Sequence, residues 1–454
     1  MRHGCSWLLA ATLLGSGCAA TPTAVRSAEP PPRAVTATPT PPQTVRTSLG
    51  VDESDLQGRT IEVWHPWFGV EAEFFEALLE EFNESNSWGI TASATGQINF
   101  SFLYENVTTA LPTTRRPDVV IALPEHALAW DAEGLVADLG PYVDDAAYGT
   151  EPGDFQILFW NQDLAAGKRV GLPAQRSARF LLWNQSFAQQ LGLKGPPLTS
   201  TAFEQQACAA NRSMKSDASP ANDGMGGWLV DTDTWTAYAW LLAFQGAVLE
   251  SDDYRFLTPN NIAALTFVKG LQEKGCAWGP RAGNDARVAF AERRAFAVAA
   301  SLEDLPEQAR AFAQAGSSDE WIAIAFPGDE VVPVYGSSYV LFSSTPEQQL
   351  AGWLLMRWLT EPEQDARWVE TTHLFPLRHS TIDLLGDYRD SHPQWGQVVD
   401  LLPNSYLQPQ LASWRTVKVM LEDGFACLFS EVPLCQQPPV VLAQMESAAR
   451  ELSD

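Results

Sequence analysis

The sequence predicts an α/β protein built on open, largely parallel sheets, and three observations carry that expectation. The first is the stretch Thr60 to Asn83. Ile61, Val63 and Trp64 read as a short apolar strand, a His-Pro-Trp-Phe-Gly turn follows, and Phe74, Phe75, Leu78, Leu79 and Phe82 then recur at helical spacing. Glu71, Glu73, Glu76, Glu80 and Glu81 occupy the water-facing positions of that helix. The second is Pro117-Asp118-Val119-Val120-Ile121-Ala122, a turn into a fully apolar strand. The third is size: 454 residues are too many for one small core and suit two or three domains. Open α/β sheets bind ligands at the carboxyl ends of their strands. At the first strand that edge carries Trp64, His65, Trp67 and Phe68, the first candidate ligand contacts.

Composition narrows the function. The hydrophobic content of 45% and charged content of 19% are ordinary for a globular chain, whereas a net charge of −26 is not. Such a charge argues against nucleic acid or anionic lipid as the main partner. Seventeen tryptophans supply many aromatic faces, which pack cores and also stack on the apolar faces of sugar rings.

The first 56 residues read as export and tethering sequence. Met1 to Cys18 resembles a bacterial lipoprotein signal. Arg2 gives the positive start and Trp7 to Leu14 a short apolar run. Gly15-Ser16-Gly17 then precedes Cys18, the candidate lipid-bearing cysteine. Residues 19–56 are rich in Pro, Thr and Ala, with Pro-Pro-Pro at 30–32, and are expected to form an extended tether. From residue 57 onward the pattern is that of a folded body. Gly89 to Ala94 and Phe180 to Trp183 read as strands, Leu103 to Leu111 and Asn260 to Leu271 as helices. Trp235 to Phe244 is apolar almost all round, hence a buried helix. Val332 to Phe342 reads as strand, Gly-Ser-Ser turn, strand. Thr345-Pro346-Glu347-Gln348 and Thr360-Glu361-Pro362-Glu363 both carry the capping-box pattern of a helix start.

In order, these signals resemble the extracellular solute-binding proteins of ABC importers, in the maltose-binding-like class that mostly takes sugars. The resemblance spans Leu56 to Asp454. It rests on I-E-V-W with an acidic helix ending E-E-F-N, R-P-D-V-V, G-L-V-A-D-L, L-L-W-N and G-P-P-L-T-S. Further along, Q-G-A, A-F-A-V-A-A, Y-G-S-S-Y-V-L-F, P-E-Q-Q-L-A-G-W-L-L-M-R-W-L, L-F-P-L-R-H-S and S-W-R-T-V continue it. Trp183-Asn184 stands where the family more often has Tyr-Asn, and Ser200 replaces a usual Trp.

The resemblance implies a two-lobed periplasmic-binding-protein-like fold with a ligand cleft between the lobes. It implies crossings near Lys168, Ala300 and Ser338. On that basis the N-terminal lobe is expected to comprise 57–167 and 300–338, the C-terminal lobe 168–299 and 339–454. It also places Trp183 and Trp414 as sugar-stacking aromatics, with Trp235 and Tyr238 near a further stacking position. Gln97, Glu125, Arg179 and Arg378 are candidates to bridge sugar hydroxyls through planar polar groups. Tyr335, Ser337 and Ser338 are candidates from a crossing loop, and Trp228 from a Gly-rich loop.

Cysteine usage fits an exported chain. With Cys5 and Cys18 set aside, Cys208, Cys276, Cys427 and Cys435 remain, and Cys427–Cys435 with Cys208–Cys276 is the expected pairing among three connectivities. No C-x-x-C, H-E-x-x-H, P-loop or G-x-S-x-G pattern occurs, so no metal, cofactor or enzymatic role is expected. The expected partners are a small sugar or oligosaccharide, an ABC permease, and a membrane reached only through the lipid; a monomer is expected. A secreted glycan-acting enzyme and a surface receptor or adhesin on the same fold are the alternative readings.

Overall fold

The apolar strand–turn–helix unit at the start of the folded chain sets the first of two sheets. In this computed structural model, which describes residues 48–279 and 285–452, strand Thr60–His65 buries Ile61, Val63 and His65 on one face. It pairs in parallel with Thr91–Gly96 on one side and Val119–Ala122 on the other. Helix Val70–Ser85 lays Phe75, Leu78, Leu79 and Phe82 into the core, as its spacing predicts. Two strands from later in the chain complete this sheet. Ser338–Leu341 runs antiparallel beside Val119–Ala122, and Leu172–Pro173 closes the edge.

The second sheet is centred on Ser177–Asn184, whose Phe180 to Trp183 run is buried throughout. Ala297–Ser301, Trp321–Ile324 and Val332–Tyr335 all pair antiparallel with it. Trp228–Leu229 and Ala277–Trp278 extend one side, and Ser405–Leu407 the other. Helix Thr234–Ala243 is buried on nearly every face, as its unbroken apolar sequence requires.

The chain therefore passes directly between sheets at Ala174–Arg176 and at Gly336–Ser337, and it returns to the second sheet once more between helix Pro346–Leu359 and Ser405–Leu407. The Val332 to Leu341 segment is not a hairpin; its two strands join different sheets. This corrects the expected partition. Residues 300–335 belong with the second sheet, whereas Ser338–Leu341 and the following helix Pro346–Leu359 cover the first. The expected crossing at Ser338 is one residue from the observed one. Lys168 lies instead in a small hairpin with Leu164–Ala165, and Ala300 lies inside the second sheet. Periodicity specifies which residues a strand buries, and it carries no information on which sheet the strand joins.

Arg176 holds the Ala174–Arg176 and Gly336–Ser337 crossings together. Its guanidinium is 1% exposed and donates to the carbonyls of Gln175 and Ser337, to Ser338 Oγ at 3.1 Å and to Asp163 Oδ2 at 3.0 Å. Ser338 Oγ in turn donates to Asp163 Oδ1 at 2.6 Å. Gly336 makes the close approach possible: its φ is +152°, and a Cβ there would sit 2.0 Å from the Gln175 carbonyl oxygen.

Three local expectations change. The folded body begins before residue 57: Val51 and Leu56 are core residues and Ser48 hydrogen-bonds Asp145, so the tether cannot extend to 56. Thr345 caps its helix by accepting from the Gln348 N–H, but the Gln348 side chain donates to the Thr60 carbonyl instead of reaching back. Thr360 ends the preceding helix, its hydroxyl turned to Met356 and Arg357, and Glu361 is the cap residue. Cys18 lies outside the described residues. Disulfides Cys208–Cys276 and Cys427–Cys435 are both formed.

Two stability measurements test this account. Asp163→Ala strands a buried guanidinium and is expected to cost about 3–5 kcal/mol in urea unfolding; a loss under about 1 kcal/mol would show that the crossings are held by other contacts. The Cys208–Cys276 bridge spans 68 residues, so replacing both cysteines with alanine is expected to cost about 2–4 kcal/mol.

Candidate functional site

A cleft opens where the carboxyl edge of the first sheet meets the crossings. Its cavity measures about 340 Å³ and is lined from the first side by Trp67, Phe68, Glu71 and Phe100, and from the second by Glu303 and Tyr335. Gln175, Ser177 and Ser337 of the crossing segments form its floor. Local sequence explains the placement. The His65-Pro66 step ends the first strand, and Gly69, at φ +58°, turns the chain into the helix. This leaves Trp67 packed between Phe75 and Trp368, with ring centroids 5.0 and 4.7 Å away, while Phe68 is 79% exposed.

The floor is fixed by hydrogen bonds. Gln175 Oε1 accepts from Trp67 Nε1 at 3.0 Å and from Ser337 Oγ at 3.3 Å, and Ser177 Oγ donates to Glu303 Oε2 at 2.6 Å. Tyr335 stacks on Trp235 with centroids 4.4 Å apart and rings within 5° of parallel. Its hydroxyl meets Ser301 Oγ at 2.6 Å, and the same Ser301 accepts from Arg179 at 3.0 Å. Arg179 is otherwise committed to Thr236 and Asp231, and it lines a separate pocket with Asp231, Asp285 and Asp304.

Outside the cleft lining a polar bridge joins the halves. Glu125, at the first turn of helix Pro124–Ala132, pairs with Lys418 and accepts from Gln408 at 3.0 Å, and Arg415 lies 4.6 Å above the Tyr104 ring. Burial alone would raise the Glu125 pKa, but Lys418 and His126 hold it below the usual carboxylate range. Tyr238 opens onto a second cavity of about 860 Å³, shared with Asn161, Leu164 and Gln408.

The cleft thus gathers Trp67, Phe68, Tyr335 and Ser337, with Trp235 behind Tyr335. Other candidates stand elsewhere. Trp64 bonds Glu62 at 3.2 Å and packs on the outer cluster of the first sheet, and buried His65 accepts from the Trp67 N–H at 3.2 Å. Gln97 accepts from Asn106 at 2.7 Å at the end of the second strand. Five expectations are corrected in this structure because the side chains are interior. Trp183 packs on Phe296 and bonds Gln206, Trp228 packs on Trp240, and Trp414 lies in the second core at 0% exposure. Ser338 belongs to the Arg176 network. Arg378 sits over Phe155 and bonds Asp154 and Thr150, fixing the first half. Sequence reading missed Glu71, Gln175, Ser177 and Glu303; the extended Pro-Ala-Gln-Arg-Ser run before the central strand is the signal that marks a crossing segment.

Two α/β halves joined by short crossings, with an aromatic and polar cleft at the junction, define a two-lobed solute-binding architecture. Solved structures share it. The sugar-binding protein MalE from Xanthomonas citri superposes with a TM-score of 0.75 at 19% identity, covering 87% of this chain and 97% of that one. The cyclic α-maltosyl-1,6-maltose binding protein of Arthrobacter globiformis gives 0.71 at 18%, covering 86% and 99%. UgpB from Mycobacterium tuberculosis, solved with glycerophosphocholine, gives 0.70 at 17%, covering 87% and 98%. Residues 77–393 match the family described as bacterial extracellular solute-binding protein. The chain belongs to that family.

Two buried histidines outside the cleft lining give a pH test. Burial holds His65 near a pKa of about 4; burial does the same for His126, with Glu125 opposing and Lys418 and Arg415 reinforcing. Unfolded histidines titrate near about 6.5. As pH falls from about 6.5 to 4 the unfolded chain takes up protons that the native chain refuses, so stability falls by on the order of 3 kcal/mol per histidine. Asp365, pushed up to about 7 by burial, acts in the opposite sense between its unfolded and folded values. Denaturant unfolding across this range is expected to show a shallower loss for His126→Gln than for the wild type; parallel curves would remove His126 as a source.

Proposed function

We propose that this chain captures a sugar or short oligosaccharide in the cleft and delivers it to the permease of an ABC importer. The observation that carries the reading is the convergence at one crossing point of aromatic faces from both halves. Trp67 comes from the first half, Tyr335 with Trp235 stacked on it from the second, and the planar Gln175 amide lines the same cleft, accepting from Trp67. Aromatic faces take the apolar side of a sugar ring, and fixed amides and hydroxyls take its hydroxyls. Because contacts come from both halves, ligand favours the closed arrangement and binding becomes closure.

The membership of an extracellular family supports an extracytoplasmic location, and among the described residues no helix is long and apolar enough to cross a membrane. A lipid on Cys18 is the proposed anchor, with the proline-rich segment as spacer, and the body acts as a monomer. Binding alone accounts for the cleft, and the function requires no covalent chemistry. Trp67, Phe68, Tyr335 and Ser337 are the proposed ligand contacts, with Trp235 backing the Tyr335 ring. Gln97, Glu125, Arg179 and Tyr238 shape the surroundings. The neighbours from Xanthomonas citri and Arthrobacter globiformis, whose descriptions name sugar or maltose binding, support the substrate class.

A thermal-shift and tryptophan-emission screen of the purified chain against mono- and oligosaccharides, with amino acids as controls, tests this. At a hundredfold excess over Kd the cognate sugar is expected to add about 2.7 kcal/mol of stability. Trp67→Ala and Tyr335→Ala are each expected to weaken binding about tenfold or more. Melting that responds to amino acids and to no sugar would overturn the substrate class.

A further inference from the structure

The cleft carries an electrostatic asymmetry that a neutral sugar does not use. Two carboxylates line it, and among the described lining residues none is Lys, Arg or His. Glu71 comes from the first turn of helix Val70–Ser85 in one half, and Glu303 from the short helix Leu302–Asp304 in the other. Both line the cleft beside residues of the same crossing segment. The Gln175 amide opposes the upward push of burial on the Glu71 carboxyl, and Ser177 Oγ holds Glu303 Oε2 at 2.6 Å. Gln175 and Ser177 are two positions apart, so their backbones lie within about 7 Å of each other. Glu303 is exposed and lines the cleft. Arg179, the cation whose field reaches it, is already paired with Asp231.

We propose that the solute is an aminated sugar, its ammonium held between Glu71 and Glu303 while its ring lies against Trp67 and Tyr335. This rests on the cleft being the sugar site. The physical argument concerns closure. Bringing the halves together moves one carboxylate from each side into a concave, largely aromatic space, where like charges repel and lose hydration. A hydroxyl donor satisfies one oxygen without cancelling charge. An ammonium cancels it, brings three donors, and gains from neighbouring aromatic faces. Desolvation pushes both carboxylates above their ordinary pKa, with Gln175 opposing it at Glu71 and Ser177 at Glu303. The net charge of −26 attracts cationic solutes toward the surface in the same sense.

Calorimetric titration of the full chain with glucosamine oligosaccharides, their N-acetylated counterparts and plain glucose oligosaccharides tests this at about pH 6, where a sugar amine is protonated. The amine series is expected to bind about ten- to hundredfold tighter than either neutral series. Glu71→Gln and Glu303→Gln are each expected to lower amine affinity about tenfold or more, and Glu303→Asp, which keeps the charge, to retain part of the preference. Urea unfolding of each ligand-free variant identifies any that fails to fold. Equal affinity for amine and neutral sugars would overturn the charge inference and leave the sugar site standing. An amine preference that survives both glutamine variants would also overturn it. Binding of none of the three series would remove the sugar reading itself.

Discussion

The structure depends on one buried ion pair. Arg176 and Asp163 are almost wholly shielded from water, and Arg176 also reaches the Gln175 and Ser337 carbonyls and Ser338 Oγ. Through these contacts it binds the Ala174–Arg176 and Gly336–Ser337 crossings to each other. A buried ion pair adds little net stability, because desolvation offsets most of the attraction. Its consequence here is positional. The residues beside it are fixed relative to each other, and they form the floor of the cleft. Gln175 and Ser177 flank Arg176 in sequence, and Ser337 follows the glycine that allows the crossings to touch.

Beyond that ion pair the aromatic residues divide into two populations. Trp130, Trp183, Trp228, Trp240, Trp353 and Trp414 are among the largest fully buried side chains and fill the cores. Trp67, at 6% exposure, and Tyr335, backed by Trp235, line the cleft at the crossing. The second population is small because a cleft between two halves has little wall compared with the cores beneath it. High tryptophan content alone therefore says little about ligand. The bridge of Glu125, Lys418 and Gln408 adds a polar contact between elements far apart in sequence.

Much of the architecture was legible from residue pattern. The apolar spacing of Phe75, Leu78, Leu79 and Phe82, the unbroken run of Phe180 to Trp183 and the all-round apolar helix at Thr234–Ala243 each specified an element and its buried face. The family resemblance supplied the two-lobed arrangement. The site was less legible. Trp183 and Trp414 looked like cleft aromatics by their position in motifs, yet both point into the second core. Glu71 read as one of several solvent-facing acids on an amphipathic helix; only the approach of Gln175 distinguishes it from Glu73 or Glu76.

What the sequence by itself determined was local: which residues form strands and helices, which faces are apolar, and the even set of cysteines that forms Cys208–Cys276 and Cys427–Cys435. These follow from periodicity and residue chemistry over short spans. The tertiary structure decided which sheet each strand joins, and hence that Val332–Tyr335 and Ser338–Leu341 part company at Gly336. It also decided that acids from separate halves share one cleft. Such choices depend on pairings between segments more than a hundred residues apart, where closing the intervening chain is set by the whole fold and leaves no repeat in the local sequence.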